Sequence, residues 1–233
     1  MPLQQNTKIP VKDHRNKGLA LGVGCKLSNS GGPDLAFAIT SASSDTLGQW
    51  GVAQLPAGRY VVDASRDPGD TGNAITSADA LAALRIAVGL NPNPDPDGAG
   101  PQSALRVSPY QFMAADANID GKVSSADALA ILRMAVKLPT ALPKEWFFVE
   151  ESRDFWNEAT NSYTLTRAAS SWNRTIEVDV DFDTTLNLVG ILKGDVNGSW
   201  SAPAGSTDLD VLDPNYFVEL AALLGVPTDQ WGV

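Results

Sequence analysis

The sequence predicts an α+β protein in which β-sandwich-like strands flank a central pair of loop–helix units, with one more helix near the C-terminus. A 15-residue stretch occurs twice in the middle of the chain and is identical at 11 positions, at an offset of 124 − 76 = 48 residues. On both sides of it, short apolar and β-branched runs alternate with turn residues, as in antiparallel β structure. Near the end, Asp213-Pro214 opens an apolar run that stops at Gly225, which is typical of a capped helix.

The chain of 233 residues is long enough for one large domain or two small ones. We expect four parts: a polar N-terminal arm at 1–17, a β module at 18–65, the repeat at 66–139, and a β segment with the last helix at 140–233. Within the β module, residues 55–62 read LPAGRYVV, which resembles the last hairpin of small β-sandwich stalk modules in bacterial surface proteins.

The second copy of the repeat follows a loop, 116–127, whose oxygen-bearing residues recur at the spacing of an EF-hand-type calcium loop. Calcium prefers several hard oxygen ligands at loosely fixed distances, and a short Asp/Asn-rich loop supplies them. Gly121 stands where the sharp turn needs a glycine; the alternative is a metal-free Asp/Asn/Gly turn. The predicted ligands are Asp116, Asn118, Asp120, the Lys122 carbonyl, Ser124 and Asp127.

The first copy is preceded by a less regular loop. Aligned on Asp79, this loop has no acidic residue at the first position unless it is one residue longer. We expect a second calcium site in which Asp67, Asp70 and Asp79 converge, assisted by Thr76 and by backbone carbonyls.

Two calcium loops, each followed by one helix, resemble a type I dockerin over residues 66–139. The resemblance implies calcium binding without the entering helix of an EF-hand. The positions that face a cohesin in that family hold Leu84-Arg85 and Leu132-Arg133 here instead of a Lys-Arg pair. Calcium binding therefore carries over better than ordinary cohesin binding, and we expect Arg85, Arg133 and Lys137 to contact a protein partner. The apolar helices either pack on each other and on the β parts or dock that partner.

A third loop begins like a calcium loop, with Asp195, Asn197 and Ser199 at alternate positions, and Asp208 and Asp210 follow late. A third calcium site and a plain β-turn both remain open. The phrase GDVNGSW with this ending resembles the C-terminal regions of large secreted bacterial adhesin-like proteins.

The amino-acid composition restricts the kinds of partner that the chain can bind. With 17 Lys+Arg against 27 Asp+Glu, the net charge is −10, which argues against nucleic acid or an anionic membrane. No apolar run approaches the roughly 20 residues of a membrane span. The N-terminus lacks the apolar core of a signal peptide, so we expect a fragment, a processed form or a protein exported by a C-terminal signal.

The single histidine, His14, lies in the expected arm, and no motif pairs a nucleophile with a base. We therefore expect a non-enzymatic, secreted or surface-displayed calcium-binding module that engages a protein partner. The alternatives are a self-assembling subunit of a calcium-stabilised extracellular filament or surface layer, and a dockerin that binds a cohesin-like partner in a polysaccharide-degrading assembly.

Overall fold

The computed structural model describes residues 55–93, 106–181 and 184–201, and four strands upstream of residue 54. The predicted C-terminal helix, Asp208 and Asp210 lie outside the described residues. The strands are β1 Asn6–Asp13, β2 Val23–Asn29, β3 Ala38–Ser43, β4 Gln49–Ala53, β5 Gly58–Arg66, β6 Trp146–Glu150, β7 Trp156–Asn157, β8 Ser162–Tyr163, β9 Ile176–Val180 and β10 Leu188–Leu192. The helices are α1 Ser77–Ala87, α2 Pro109–Ala115 and α3 Ser125–Ala135, with a 3-10 turn at Pro68–Thr71.

Two four-stranded sheets are assembled from distant parts of the chain. The first has the order β4-β1-β10-β6 and the second the order β3-β2-β5-β9. Neighbouring strands are antiparallel except β1 and β10, which run parallel with Val11 opposite Leu188. Strands β7 and β8 form a separate pair.

Strand β1 lies inside the segment expected to be a polar arm. It hydrogen-bonds to β4 on one side and to β10 on the other. Within it, Thr7, Ile9 and Val11 alternate with Lys8 and Lys12, which is the period-two pattern of a strand. The expectation of a polar arm followed the overall composition of residues 1–17, in which this short pattern is surrounded by polar residues.

The helices α1 and α3 begin where the repeat predicts, and each has a capping box. Thr76 caps α1 with Asp79 as the reciprocal residue, and Ser124 caps α3 with Asp127. They pack against each other, and the residues they bury include Ala80, Ala83, Ile86, Ala128, Ile131 and Met134.

Helix α2 is an addition to the expected loop–helix pattern. Ser108 caps it with Gln111 as the reciprocal residue, and Pro109 occupies the first turn. It ends immediately before Asp116, so the second loop has a short entering helix.

Strand β6 is buried on both faces, which explains its unbroken apolar sequence. Trp146 and Phe148 belong to the main core, together with residues of β5, β9, α1 and α3. Phe147 and Val149 belong to a second cluster that includes Met113 of α2. The two faces of β6 therefore contribute to two different hydrophobic clusters, each of which also contains helix residues. Among the described residues, no helix is long and apolar enough to cross a membrane.

Candidate metal centre

The loop at 116–127 is organised around the carboxylate of Asp116. Its Oδ1 accepts a hydrogen bond from the Asp120 amide at 3.0 Å, and its Oδ2 accepts one from the Gly121 amide at 2.9 Å. The buried hydroxyl of Ser170 donates to the same Oδ2 at 2.7 Å. Asp116 is only 2% exposed, so its charge lies inside the protein.

Asp127 closes the loop from the first turn of α3. Its Oδ1 accepts the Asn118 amide at 3.2 Å, and its Oδ2 accepts the amide and hydroxyl of Ser124, each at 2.9 Å. Asp127 is fully buried, whereas Asn118 and Asp120 are exposed at the rim. We name Asp116, Asn118, Asp120, Ser124 and Asp127 the contiguous cluster.

The third loop repeats this arrangement around Asp195. Its Oδ1 accepts the Ser199 amide at 2.8 Å, and its Oδ2 accepts the Trp200 amide at 2.9 Å. These donors lie four and five residues after the carboxylate, as Asp120 and Gly121 do after Asp116. The fourth loop residue has a positive φ in both loops, 63° at Ile119 and 62° at Gly198.

The residue that closes the third loop is Asp79 of α1, in the first copy of the repeat. Its Oδ1 accepts the Asn197 amide at 3.0 Å, as Asp127 accepts the Asn118 amide. Its Oδ2 accepts the amide and hydroxyl of Thr76 at 2.8 and 2.9 Å. We name Thr76, Asp79, Asp195, Asn197 and Ser199 the split cluster, because its two parts, 76–79 and 195–199, are far apart in the sequence.

The structure therefore joins residues that the sequence assigned to two different sites. Asp67 and Asp70 do not take part in the contacts of Asp79. Asp67 caps the 3-10 turn by accepting the Gly69 amide at 2.8 Å, and Asp70 pairs with the buried guanidinium of Arg66. The ion pair with Arg66 compensates the charge of Asp70 without a metal ion.

The sequence predicts backbone carbonyls at the first site without naming them, and the Ala74 carbonyl is a candidate. The Ala74 carbonyl accepts a hydrogen bond from the Ser199 hydroxyl at 2.8 Å. Ala74 precedes the capping Thr76 by two residues, as Lys122 precedes Ser124, so it stands where the EF-hand-type pattern uses a backbone carbonyl. The alignment of the two repeat copies contained this signal.

Both clusters hold buried negative charge. The pKa of Asp195 is raised to about 6, chiefly by burial; the Trp200 and Ser199 amides oppose the rise, and the charge of Asp79 adds to it. The pKa of Asp116 is also raised, again chiefly by burial, with Asp127 adding to the rise. Within the described ranges, no Lys or Arg lies within 4.0 Å of the Asp79, Asp116, Asp127 or Asp195 carboxylates.

The donor set suits a hard cation. Each cluster offers buried carboxylates together with neutral amide, hydroxyl and carbonyl oxygens, which is the mixture that calcium accepts with six to eight ligands. Over the part of the chain that the structure describes, no three His, Cys, Asp or Glu side chains converge tightly enough to form a metal site unaided. A cation in either cluster would therefore have to be bound by neutral oxygens as well as by carboxylates.

The residues expected to contact a partner are exposed on the repeat helices. Arg85 lies in the last turn of α1 and Arg133 in that of α3. Lys137 follows α3 and donates to the Asn73 side chain at 3.1 Å. Leucines of both helices are exposed as well, among them Leu84 beside Arg85 and Leu132 beside Arg133 in the sequence.

No protein-family model matches the chain, and no curated protein is significantly similar to it.

Proposed function

We propose that this chain is an extracellular, non-enzymatic calcium-binding module in which calcium orders the fold and a protein-binding surface. One observation carries the proposal. Two pairs of buried carboxylates, Asp116 with Asp127 and Asp195 with Asp79, are held by the same pattern of backbone amides and have no basic side chain within ion-pair distance among the described residues.

Electrostatics explains why a cation fits. Two carboxylates buried side by side repel each other and lose hydration, which is unfavourable without a compensating charge. A calcium ion replaces the repulsion with shared coordination, and its binding free energy then contributes to folding. Millimolar calcium outside cells is sufficient for sites of modest affinity, which supports an extracellular setting.

Calorimetric titration of calcium into the chelator-treated full-length protein tests the proposal. We expect two binding sites. Asp116→Asn should remove one site and Asp195→Asn the other, because each substitution deletes the charge at the centre of a loop. Asp67→Asn is the matched control and should leave both sites intact, since Asp67 caps a turn elsewhere. A chain that takes up no calcium would contradict the proposal.

The binding surface is proposed on the outer faces of α1 and α3. Large apolar side chains are exposed at equivalent positions of the two repeat copies. They are Leu81, Leu84, Val88 and Leu90, and Leu129, Leu132, Val136 and Leu138. So many exposed large apolar side chains on two packed helices are typical of an interaction site, and Arg85 and Arg133 would add charge contacts at it.

The same surface favours a second candidate function, a self-assembling subunit of a calcium-stabilised filament or surface layer. A cohesin-like partner is the further alternative, with Leu84 and Leu132 standing in place of the usual recognition lysines. Light scattering over a range of protein concentrations in calcium separates these functions. A docking module stays monomeric until its partner is added, whereas an assembling subunit grows with its own concentration.

A further inference from the structure

We propose that the split cluster is a calcium-dependent latch that fastens loop 194–200 to the start of α1 and opens before the contiguous cluster loses its ion. This inference rests on the proposed function and adds an order of events to it. The two clusters share their hydrogen-bond pattern but differ in how the chain connects their carboxylates.

The difference lies in sequence separation. Asp116 and Asp127 are 127 − 116 = 11 residues apart, so the chain itself keeps them close. Asp79 and Asp195 are 195 − 79 = 116 residues apart and meet only through tertiary contacts. The free energy of closing a flexible loop grows as (3/2)RT ln n, so the probability of closure falls as the 3/2 power of this ratio, which would make the split cluster weaker for calcium by up to roughly 30-fold. The pairing of β10 with its neighbours lowers this figure, because it already holds the loop nearby.

Hydrogen bonds at four loop positions fasten the loop to the helical repeat, one of them from the Gln111 side chain of α2 to the Val196 carbonyl at 3.2 Å. The Asn197 amide donates to Asp79, and the Ser199 hydroxyl donates to the Ala74 carbonyl. At the start of the loop, the Gly194 amide donates to the Ala114 carbonyl of α2 at 2.9 Å. The contact of Asn197 places a loop amide between two buried carboxylates, Asp79 and Asp195, that repel each other unless a cation lies between them.

Opening the latch would expose apolar groups that calcium keeps buried. Val196 is 0% exposed and Trp200 is 5% exposed, and both belong to the main core. The Trp200 ring meets Trp146 edge-on at 5.0 Å between centroids, and the Arg66 guanidinium lies 4.9 Å from its centroid. Because the Trp200 amide also donates to Asp195, release of the loop changes the surroundings of this indole.

The test is a calcium titration of the chelator-treated full-length protein, followed by hydrogen exchange and tryptophan fluorescence. We expect residues 116–123 to gain protection first. Residues 194–201 should gain protection at a calcium concentration several-fold higher, together with the fluorescence change. Simultaneous protection of both segments would overturn the latch and leave calcium binding intact, whereas the absence of any calcium effect would overturn the proposed function itself.

Substitutions test which cluster causes the early gain of protection at 116–123 and which causes the late gain at 194–201, called the early and the late phase. Asp79→Asn should abolish the fluorescence change and the late protection, while the early phase persists; Asp116→Asn should do the reverse. Ser199→Ala is the milder variant for use if Asp79→Asn does not fold. It removes the hydroxyl that donates to the Ala74 carbonyl and to Asp195 Oδ1, and it should shift the late phase to higher calcium. A late phase unmoved by Ser199→Ala in a folded protein would contradict the latch.

Discussion

At the scale of single residues, Ser170 shows how the C-terminal segment supports the contiguous cluster. Its hydroxyl is fully buried and donates to Asp116 Oδ2, and its amide donates to the Gly121 carbonyl at 2.8 Å. A buried hydroxyl on a carboxylate fixes the direction of that carboxylate and partly offsets its desolvation.

We predict that Ser170→Ala lowers the free energy of unfolding by about 2 kcal/mol, the typical contribution of a hydrogen bond to a charged group. It should also weaken the tighter calcium site. Urea unfolding and calorimetry check the two effects. Ser171→Ala is the matched control, because the neighbouring serine is exposed. Equal effects of the two substitutions would mean that the bond to Asp116 contributes nothing.

The raised pKa of Asp195 predicts an unusual pH dependence for the calcium-free protein. A carboxyl with a pKa of about 6 in the folded chain and about 4 in the unfolded chain holds its proton better when folded. Its contribution to stability is therefore fully present below about pH 4 and is lost as the pH rises through 6.

We expect this contribution to appear as a difference between the wild type and Asp195→Asn. In chelator, the wild type should lose stability relative to the variant between pH 4 and 7, as measured by urea unfolding at each pH. In excess calcium the trend should disappear, because the ion displaces the proton. Parallel pH profiles of the two proteins in chelator would show that Asp195 titrates normally.

At the scale of elements, α2 has no counterpart in the loop–helix pattern but positions Asp116 at its C-terminal end. Ser108 accepts the Gln111 amide at 3.2 Å, and the Gln111 side chain accepts the Ser108 amide at 3.1 Å. Gln111 Nε2 also donates to the Val196 carbonyl at 3.2 Å, which connects α2 to the loop of the split cluster.

We predict that Ser108→Ala lowers the free energy of unfolding by about 1 kcal/mol, since it removes the N-cap of α2. Thermal unfolding in calcium measures the effect. Ser125→Ala is the control, because Ser125 occupies the exposed first position of α3 and the cap there is Ser124. An unchanged melting temperature for Ser108→Ala would mean that α2 is held by burial alone.

Local signals predicted α1 and α3, because capping residues and apolar spacing act within a few turns of chain. The same kind of signal for α2, Ser108-Pro109 followed by Gln111, is present in the sequence, although the loop–helix pattern does not require a helix there. Strand β1 carries only a short signal, the alternation of Ile9 and Val11 with Lys8 and Lys12, and its pairing with β10 depends on residues almost 180 positions away.

The split cluster was missed because each half was interpreted as a site of its own. The first repeat lacks an acidic residue at the start of its loop, and the third loop lacks one at its end. The two loops complement each other, because Asp195 supplies the first acidic residue and Asp79 supplies the last one. Sequence alone contained the deficits but not the tertiary contact that combines them.

At the scale of the whole molecule, the repeat does not stand apart from the C-terminal segment. The Val123 amide of the contiguous loop donates to the Arg167 carbonyl at 2.7 Å, and Ser170 reaches Asp116. The loop after β10 completes the split cluster. The split cluster therefore combines residues from both sides of the boundary drawn at 139, whereas the contiguous cluster lies wholly before that boundary and is supported from beyond it by Ser170.

We predict that a fragment of residues 66–139 binds one calcium ion, weakly, whereas the full chain binds two. The fragment keeps the contiguous loop but loses Ser170, and it keeps Asp79 but loses Asp195, Asn197 and Ser199. Calorimetry on both chains counts the sites, and circular dichroism measures how much helix the fragment retains. The discriminating variant is Asp70→Asn in the fragment. If the fragment bound two ions and this variant only one, Asp67 and Asp70 would complete the first site with Asp79, and the loop of Asp195 would be an ordinary turn.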